Sequence, residues 1–192
     1  MAGRPRDAGL ELRLLAAAWA LLTQEGYEPL TLSRVAADAR AQRTDLRRRW
    51  PSKAQLVTAA LAEHLPPVPQ IDTGTLYGDL RAGLDALATA WSAPWMDGLT
   101  GLLADLHRDP AAETAFRAMA ERRGEPVRAA IGRAVERGEV ATGANRVLAG
   151  DLLEGPLMHR RLIARQPITP DELDAIASWT HRFLTEKAAA DA

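Results

Sequence analysis

Between Ala39 and Lys53 the chain concentrates side chains that carry positive charge or form paired hydrogen bonds. Gln42 can present a donor and an acceptor side by side to an adenine edge, and Arg40 and Arg43 can each present two donors to a guanine. Thr44 can meet a thymine methyl or a phosphate. The run Arg47-Arg48-Arg49, followed by Ser52 and by Lys53 at a helix start, suits backbone phosphates, which favour cations and helix N-termini. This chemistry reads duplex DNA. Arg40, Gln42, Arg43, Thr44 and Asp45 are the candidates for base edges, and Thr31, Arg47, Arg48, Arg49, Ser52 and Lys53 for phosphates. An Arg triplet alone is more often the mark of a solvated face; its order with two short helices and a Pro-Ser-Lys start reverses that and favours the DNA reading. Asp45 is the dissonant member. Phosphate repels it unless it accepts from a cytosine amine or pairs with a cation, and Arg49, four residues on, has the spacing for that pairing.

These side chains need short helices to hold them. A first helix is expected from about Ala8 to Glu25, with Leu12, Leu15, Ala16, Trp19 and Leu22 as its apolar stripe and Gly26 as its left-handed stop. Thr31 or Ser33 can cap a second helix that runs to about Asp38. A third spans about Arg43 to Arg49, where Pro51 stops it, and Ser52 caps a fourth from Lys53 toward His64. Val35, Ala36 and Ala39 are placed to pack one helix on the next, with Ala37 also small enough for close approach. Leu46 and Trp50 hold the reading helix down. Two short helices joined by a tight turn, the second able to enter a major groove about 12 Å wide, make a helix-turn-helix domain over residues 8–64.

The rest also reads as helix, so the fold class is all-α with about nine helices. Leu65–Gly74, with Pro66, Pro67 and Pro69, separates the head from a body at 74–188. Leu76, Leu80, Leu84, Leu87 and Trp91 step along one face. After Pro94, the series resumes with Trp95, Leu99, Leu102, Leu103 and Leu106. A long helix is expected from about Pro110 to Arg137, bent or split by Pro126. Two more cover about Ala144–Arg165 and Pro170–Ala188, the last with Asp171 and Lys187 matched to the helix dipole.

The net charge of -1 conceals an asymmetry. Residues 1–64 carry ten Lys and Arg against seven Asp and Glu, and residues 65–192 carry fourteen against eighteen. A mildly basic head on an acidic body suits a molecule that meets phosphate at one end. No cysteine is present, and His64, His107, His159 and His181 do not pair at ligand spacing, so no metal or cofactor is expected. An enzyme is disfavoured by the lack of a glycine-rich phosphate loop and of a strand pattern. The longest apolar run, Leu14–Leu22, falls short of the roughly twenty residues of a spanning helix, and Met1–Leu10 lack a signal-peptide core. The expectation is a soluble, cytoplasmic protein without a membrane partner.

Leu12 to Leu61 resembles the N-terminal domain of TetR-family transcriptional repressors. The resemblance rests on Glu25-Gly26-Tyr27, on Thr31-Leu32-Ser33-Arg34-Val35-Ala36, and above all on Arg48-Arg49-Trp50-Pro51-Ser52-Lys53 followed by Leu56-Val57. Leu106-His107-Arg108-Asp109-Pro110, Ala134–Glu139 and Gly155–Arg160 extend it into the body. The resemblance implies a homodimer on a pseudo-palindromic operator, released by a small, largely apolar effector. It implies an effector cavity in the body, for which Trp91, Trp95, Met96, Leu99, Leu103, His107, Phe116, Met119 and His159 are candidates, with Asp151 and Glu154 behind them. It further implies a dimer interface on the last two helices, with Leu152, Leu157, Leu162, Ile176, Trp179 and Phe183 as its candidates. The chain departs from the family's usual pattern at Arg40, where a turn glycine is common, at Gln42, where a small or hydroxyl residue is common, and at Arg47, where an aromatic is common. A helical ligand- or protein-binding module with weakened or lost DNA binding, or an activator, would share these features.

Overall fold

Local punctuation sets most helix ends. The computed structural model describes residues 8–190; expectations resting on earlier residues, and on the side chain of Lys187, lie outside the described residues. Helix α1 (Ala8–Glu25) stops at Gly26, whose φ of 87° lies in the region glycine enters without a Cβ clash. Of the two candidate caps for α2 (Leu32–Asp38), Thr31 serves, accepting from the Arg34 N–H at 3.2 Å. Helix α3 (Arg43–Arg49) ends ahead of Trp50-Pro51. Ser52 then opens α4 (Lys53–His64), accepting from the Gln55 N–H at 3.1 Å, and Thr75 opens α5 (Leu76–Trp91) in the same way. A 3-10 turn (Pro94–Gly98) leads to α6 (Leu99–Leu106), α7 (Pro110–Glu136), α8 (Arg146–Met158), a π turn (His159–Ala164) and α9 (Pro170–Ala190). The described residues thus hold nine α-helices and no strand, the all-α architecture read from the sequence.

In the body, the long helix is not split and the following one is shorter than expected. Helix α7 runs unbroken through Pro126. The helix expected to reach Arg165 ends at Met158 and widens into the π turn, which the Arg165 N–H closes on the Arg160 carbonyl; Arg165 itself is left-handed, with φ 54°.

The described residues form two compact units. One joins the helices up to Pro66 with Pro94–Met119; the other joins Pro67–Ala93 with the chain from Ala120 onward. The 3-10 turn and α6, expected in the body, therefore pack with the reading head, and α7 contributes to both units.

In the first unit α1 buries Leu14, Leu15, Ala18, Leu21 and Leu22. The expected stripe holds in part: Leu15 and Leu22 are buried, but Leu12 is 54% exposed and Ala16 is exposed, while Trp19 is half-buried and stacks on His64 with ring centroids 5.7 Å apart. A run that is apolar on every side offers no contrast to fix its phase; α4, which supplies buried Leu56, Val57, Ala60 and Leu61, fixes it instead.

The second unit packs Leu76, Leu80 and Leu84 of α5 with Leu153 and Leu157 of α8 and Ile176 and Leu184 of α9. A buried carboxylate locks its entry. Asp79 accepts from the Thr73 N–H at 2.6 Å and from the Thr73 hydroxyl at 2.8 Å, and its other oxygen lies 3.6 Å from Arg133 and 4.0 Å from Arg137. Arg137 also pairs with Glu139, which accepts from the Leu76 N–H at 2.8 Å. Two guanidiniums offset the cost of burying one carboxylate. The Ala134–Glu139 phrase therefore serves to fix the end of the proline-rich connection onto the end of α7.

Candidate nucleic-acid interface

Helix α3 is divided between packing and presentation. Leu46 is fully buried and Trp50 is 9% exposed, as expected; full burial of such side chains is worth about 2 kcal/mol each and holds the helix on the head. Val35, Ala36 and Ala39 are buried beneath the turn, whereas Ala37 is exposed and takes no part in helix approach. Arg40, Gln42, Arg43, Thr44 and Arg47 are all exposed. Gln42 occupies the cap position of α3 without a side-chain capping bond, so its amide is not committed to the helix end. Arg40 sits at φ 50°, in the left-handed conformation of the turn, where its Cβ is strained.

Asp45 has a different partner from the one its spacing suggested. Arg48 reaches its carboxylate at 3.1 Å, in an exposed i,i+3 pair. Arg49 instead donates to the Asp45 backbone carbonyl at 3.2 Å and brings its Nε to 3.8 Å from the Glu11 carboxylate of α1. Its side chain is only 10% exposed. The Arg triplet thus divides: Arg47 is exposed, Arg48 is exposed but paired, and Arg49 is drawn into the head.

The start of α4 is knit to its own unit. Ser52 caps α4 and donates its hydroxyl proton to Asp109 Oδ2 at 2.5 Å. Gln55 donates to both Asp109 oxygens, at 3.1 and 3.0 Å, and Asp109 Oδ1 accepts from the Ala112 N–H at 3.1 Å, capping α7. The Ser52 hydrogen bond leads in holding the Asp109 carboxyl below its ordinary value, against a smaller opposing effect of burial. Lys53 donates to the Glu28 carbonyl at 3.2 Å, and its ammonium lies 3.8 Å over the Tyr27 ring. Burial lowers the Lys53 value, opposed by the charges of Glu28 and Asp105. Thr31, exposed at the cap of α2, uses its oxygen as an acceptor for the Arg34 N–H.

Tyr27, Gln55, Asp105 and Asp109 belong to this region but were not singled out from the sequence. The signal for Asp109 was present: an Asp directly before a Pro is a cap followed by a first-turn residue. Its reach to Ser52 is tertiary and had no local sign.

The candidates for effector binding are distributed over both units. Trp95, Met96, Leu99 and Met119 are buried, and Leu103 and Phe116 half-buried, in the unit that holds the head; Trp95 lies beside Trp19 with ring centroids 6.4 Å apart. His107 is exposed at the end of α6, with Nδ1 2.7 Å from the Leu103 carbonyl. Trp91 is buried in the second unit and donates its indole N–H to Glu154 Oε1 at 3.3 Å, while His159 and Asp151 are exposed. Of the interface candidates, Leu157 and Ile176 are 2% and 5% exposed and fill their own unit's core. Leu152 and Trp179 are 37% and 61% exposed, and Leu162 and Phe183 are half-buried. Val147, Leu148 and Met158 on α8 are also exposed. Among the described residues no cluster of metal-ligating side chains occurs, and no helix is long and apolar enough to cross a membrane.

The family model of bacterial regulatory proteins of the TetR family matches residues 14–60, and that of the tetracyclin repressor-like C-terminal domain matches residues 70–179. The chain belongs to the TetR family of transcriptional regulators, and its head is a DNA-binding helix-turn-helix. It is 34% identical over 182 residues to an uncharacterized HTH-type transcriptional regulator of Mycobacterium tuberculosis strain H37Rv, covering 92% of this chain and 90% of the relative. It is 35% identical over 161 residues to the DNA-binding transcriptional repressor TetR of Mycobacteroides abscessus, covering 82% and 83%. Among solved structures, the TetR family transcription regulator SCO0332 superposes with a TM-score of 0.72 at 28% identity, over 91% of this chain and 98% of that one. The fold alone is shared with NalD of Pseudomonas aeruginosa, at TM-score 0.55 and 19% identity over 92% and 96%.

Proposed function

We propose that this regulator is a repressor that binds a pseudo-palindromic operator as a homodimer and is released by a small, largely apolar effector. The reading rests on the division of α3: Leu46 and Trp50 are committed to the head while Gln42, Arg43, Thr44 and Arg47 face outward together. A rigid helix with an outward row of Gln, Arg and Thr is what base reading in the major groove requires. Thr31, Arg47, Arg48 and Lys53 supply the phosphate contacts, with Arg48 drawn from its exposed pair with Asp45. Ser52 and Arg49 act through the head, as their protons are spent on Asp109 and on α1 and α3. The Mycobacteroides relative is named a repressor, which supports that direction of control.

Dimerisation is assigned to the exposed apolar side chains of α8 and α9, Leu148, Leu152 and Trp179 among them. A two-fold pair carries two reading helices to successive turns of the duplex. The effector is assigned to the C-terminal domain, where Trp91 supplies an aromatic wall and Glu154 a polar group. Its binding shifts the population away from the arrangement that fits the operator.

Selection of bound sequences from a random duplex pool tests the reading. An enriched inverted repeat is expected, with preference altered by Gln42→Ala or Arg43→Ala. A pool that shows no enrichment under low-salt conditions would mean that the head no longer reads sequence.

A further inference from the structure

The ammonium of Lys53 is not free at the start of α4. It is held from two sides by the turn after α1: the Glu28 carbonyl accepts from it at 3.2 Å, and the Tyr27 ring lies 3.8 Å beneath it. That ring is itself fixed. Tyr27 is 3% exposed, and its hydroxyl donates to Asp105 of α6 at 2.6 Å. Its flank rests on the backbone of Gly98 and Gly101. A Cβ at Gly98 would lie 3.0 Å from Tyr27 Cβ, and one at Gly101 would lie 2.8 Å from Tyr27 Cδ1. A side chain at Gly101 would require the ring edge to shift, and one at Gly98 would crowd Tyr27 at its Cβ and backbone, so the two glycines leave room for the ring where it stands.

We propose that Tyr27 is a positioning residue for DNA binding: seated on Gly98 and Gly101 and tied to Asp105, its ring holds the Lys53 ammonium in place for a backbone phosphate. The inference rests on the reading of Lys53 as a phosphate contact. An ammonium has three donors, and the Glu28 carbonyl uses one, so the others remain for a phosphate while the ring stays beneath. A lysine on a four-carbon stem loses rotamer freedom on contact, and a ring that has already removed that freedom leaves less to lose. Tyr27, a buried residue of the head, thereby gains a part in affinity.

The test is a double-mutant cycle on the full chain, read as affinity for a mixed-sequence DNA duplex across a range of salt. Lys53→Ala first examines the phosphate reading: it should weaken binding and lower the salt slope by about one. An unchanged slope would remove Lys53 from the contacts and the proposal with it. Tyr27→Leu keeps apolar bulk but removes the ring, and should weaken binding about three- to tenfold, a fraction of the freedom a lysine can lose. Tyr27→Phe keeps the ring but loses the tie to Asp105, and should bind between the parent and Tyr27→Leu. In the Lys53→Ala background Tyr27→Leu should cost nothing more. An equal loss with and without Lys53, or tighter binding by Tyr27→Leu, would overturn the proposal. Gly101→Ala provides a second check should Tyr27→Leu unfold, because its Cβ would lie 2.7 Å from Glu28 Oε1 and 2.8 Å from Tyr27 Cδ1, displacing the ring edge along with the flexible Glu28 side chain: it should weaken binding only when Lys53 is present.

Discussion

Ser52 and Asp109, 57 positions apart, meet at 2.5 Å and join the first turn of α4 to the first turn of α7. One carboxylate thereby serves two helix starts: it receives Ser52 and Gln55 from α4 and caps α7 through the Ala112 N–H. The same serine caps α4 with its oxygen and spends its proton on the aspartate. The start of α4, where the proposed phosphate contact Lys53 stands, is therefore tied through Ser52 and Gln55 to the first turn of α7.

Asp109→Ala should destabilise the chain by about 1–2 kcal/mol, the usual cost of a lost cap. Its effect on acid stability follows from its sign. The Asp109 carboxyl is held below its ordinary value, chiefly by Ser52, so its contribution is complete above the ordinary aspartate range and is lost as pH falls through the lowered value. Asp109→Asn, which can still accept a capping bond, should flatten the acid limb of stability. Denaturant midpoints measured against pH read this directly; an acid limb that stays as steep in the variant would place the effect in other carboxylates.

Arg40 occupies the turn position where the family commonly has glycine, and it takes the glycine's conformation, with φ 50°. A Cβ in this region costs about 1 kcal/mol, while a new glycine gives back roughly 0.5–1 kcal/mol to the unfolded chain. Arg40→Gly should therefore be neutral or stabilise by less than about 1 kcal/mol, and Arg40→Val, branched at Cβ, should destabilise by more than Arg40→Ala. Thermal melts of the three variants rank them; a valine variant as stable as the alanine one would show that the turn relaxes.

How much of this was open to sequence reading depended on range. Gly26, Thr31 and Ser52 announced their helix ends because a cap acts within four residues. The face of α1 was legible only in part, for Leu15 and Leu22 but not for Leu14, Ala18 and Leu21, because Leu14–Leu22 is apolar on every side and contact with α4 selects the rest. Asp45 had cations at both i+3 and i+4, which are equivalent in helix spacing. Glu11, brought beside Arg49 by the packing of α1, draws that side chain inward and leaves Arg48 for Asp45. The grouping of Pro94–Met119 with the head was hidden for the same reason, since the Leu65–Gly74 break is a boundary in sequence and Tyr27–Asp105 and Ser52–Asp109 are long-range bonds.

The Asp45–Arg48 pair is exposed on both sides, at 36% and 74%, so it adds little to stability, about 0.5 kcal/mol or less. Its consequence lies in binding. A carboxylate on the reading helix repels phosphate, and it also occupies a cation that phosphate would otherwise use. Asp45→Asn should leave the melting temperature nearly unchanged, tighten binding to mixed-sequence DNA, and steepen the salt dependence by about one phosphate contact. If affinity instead falls at one position of the selected operator alone, Asp45 reads a cytosine amine there.

Trp179 and Leu157 divide the proposed interface from the core on the last helices. Trp179, on α9, is 61% exposed in a single chain, whereas Leu157, on α8, is 2% exposed. An exposed tryptophan accompanied by exposed Leu148, Leu152 and Met158 on the adjacent helix is surface that a lone subunit leaves uncovered. Trp179→Glu should give a monomer with its helix content intact. Its affinity for a two-half-site operator should fall by far more than its affinity for one half-site, because the second head is no longer tethered. Leu157→Glu should instead unfold the C-terminal unit, since it buries an unpaired charge. Sedimentation with circular dichroism distinguishes the outcomes. A Trp179→Glu variant that remains dimeric would move the interface away from this part of α9, and one that loses its helical signal would place Trp179 in the fold itself.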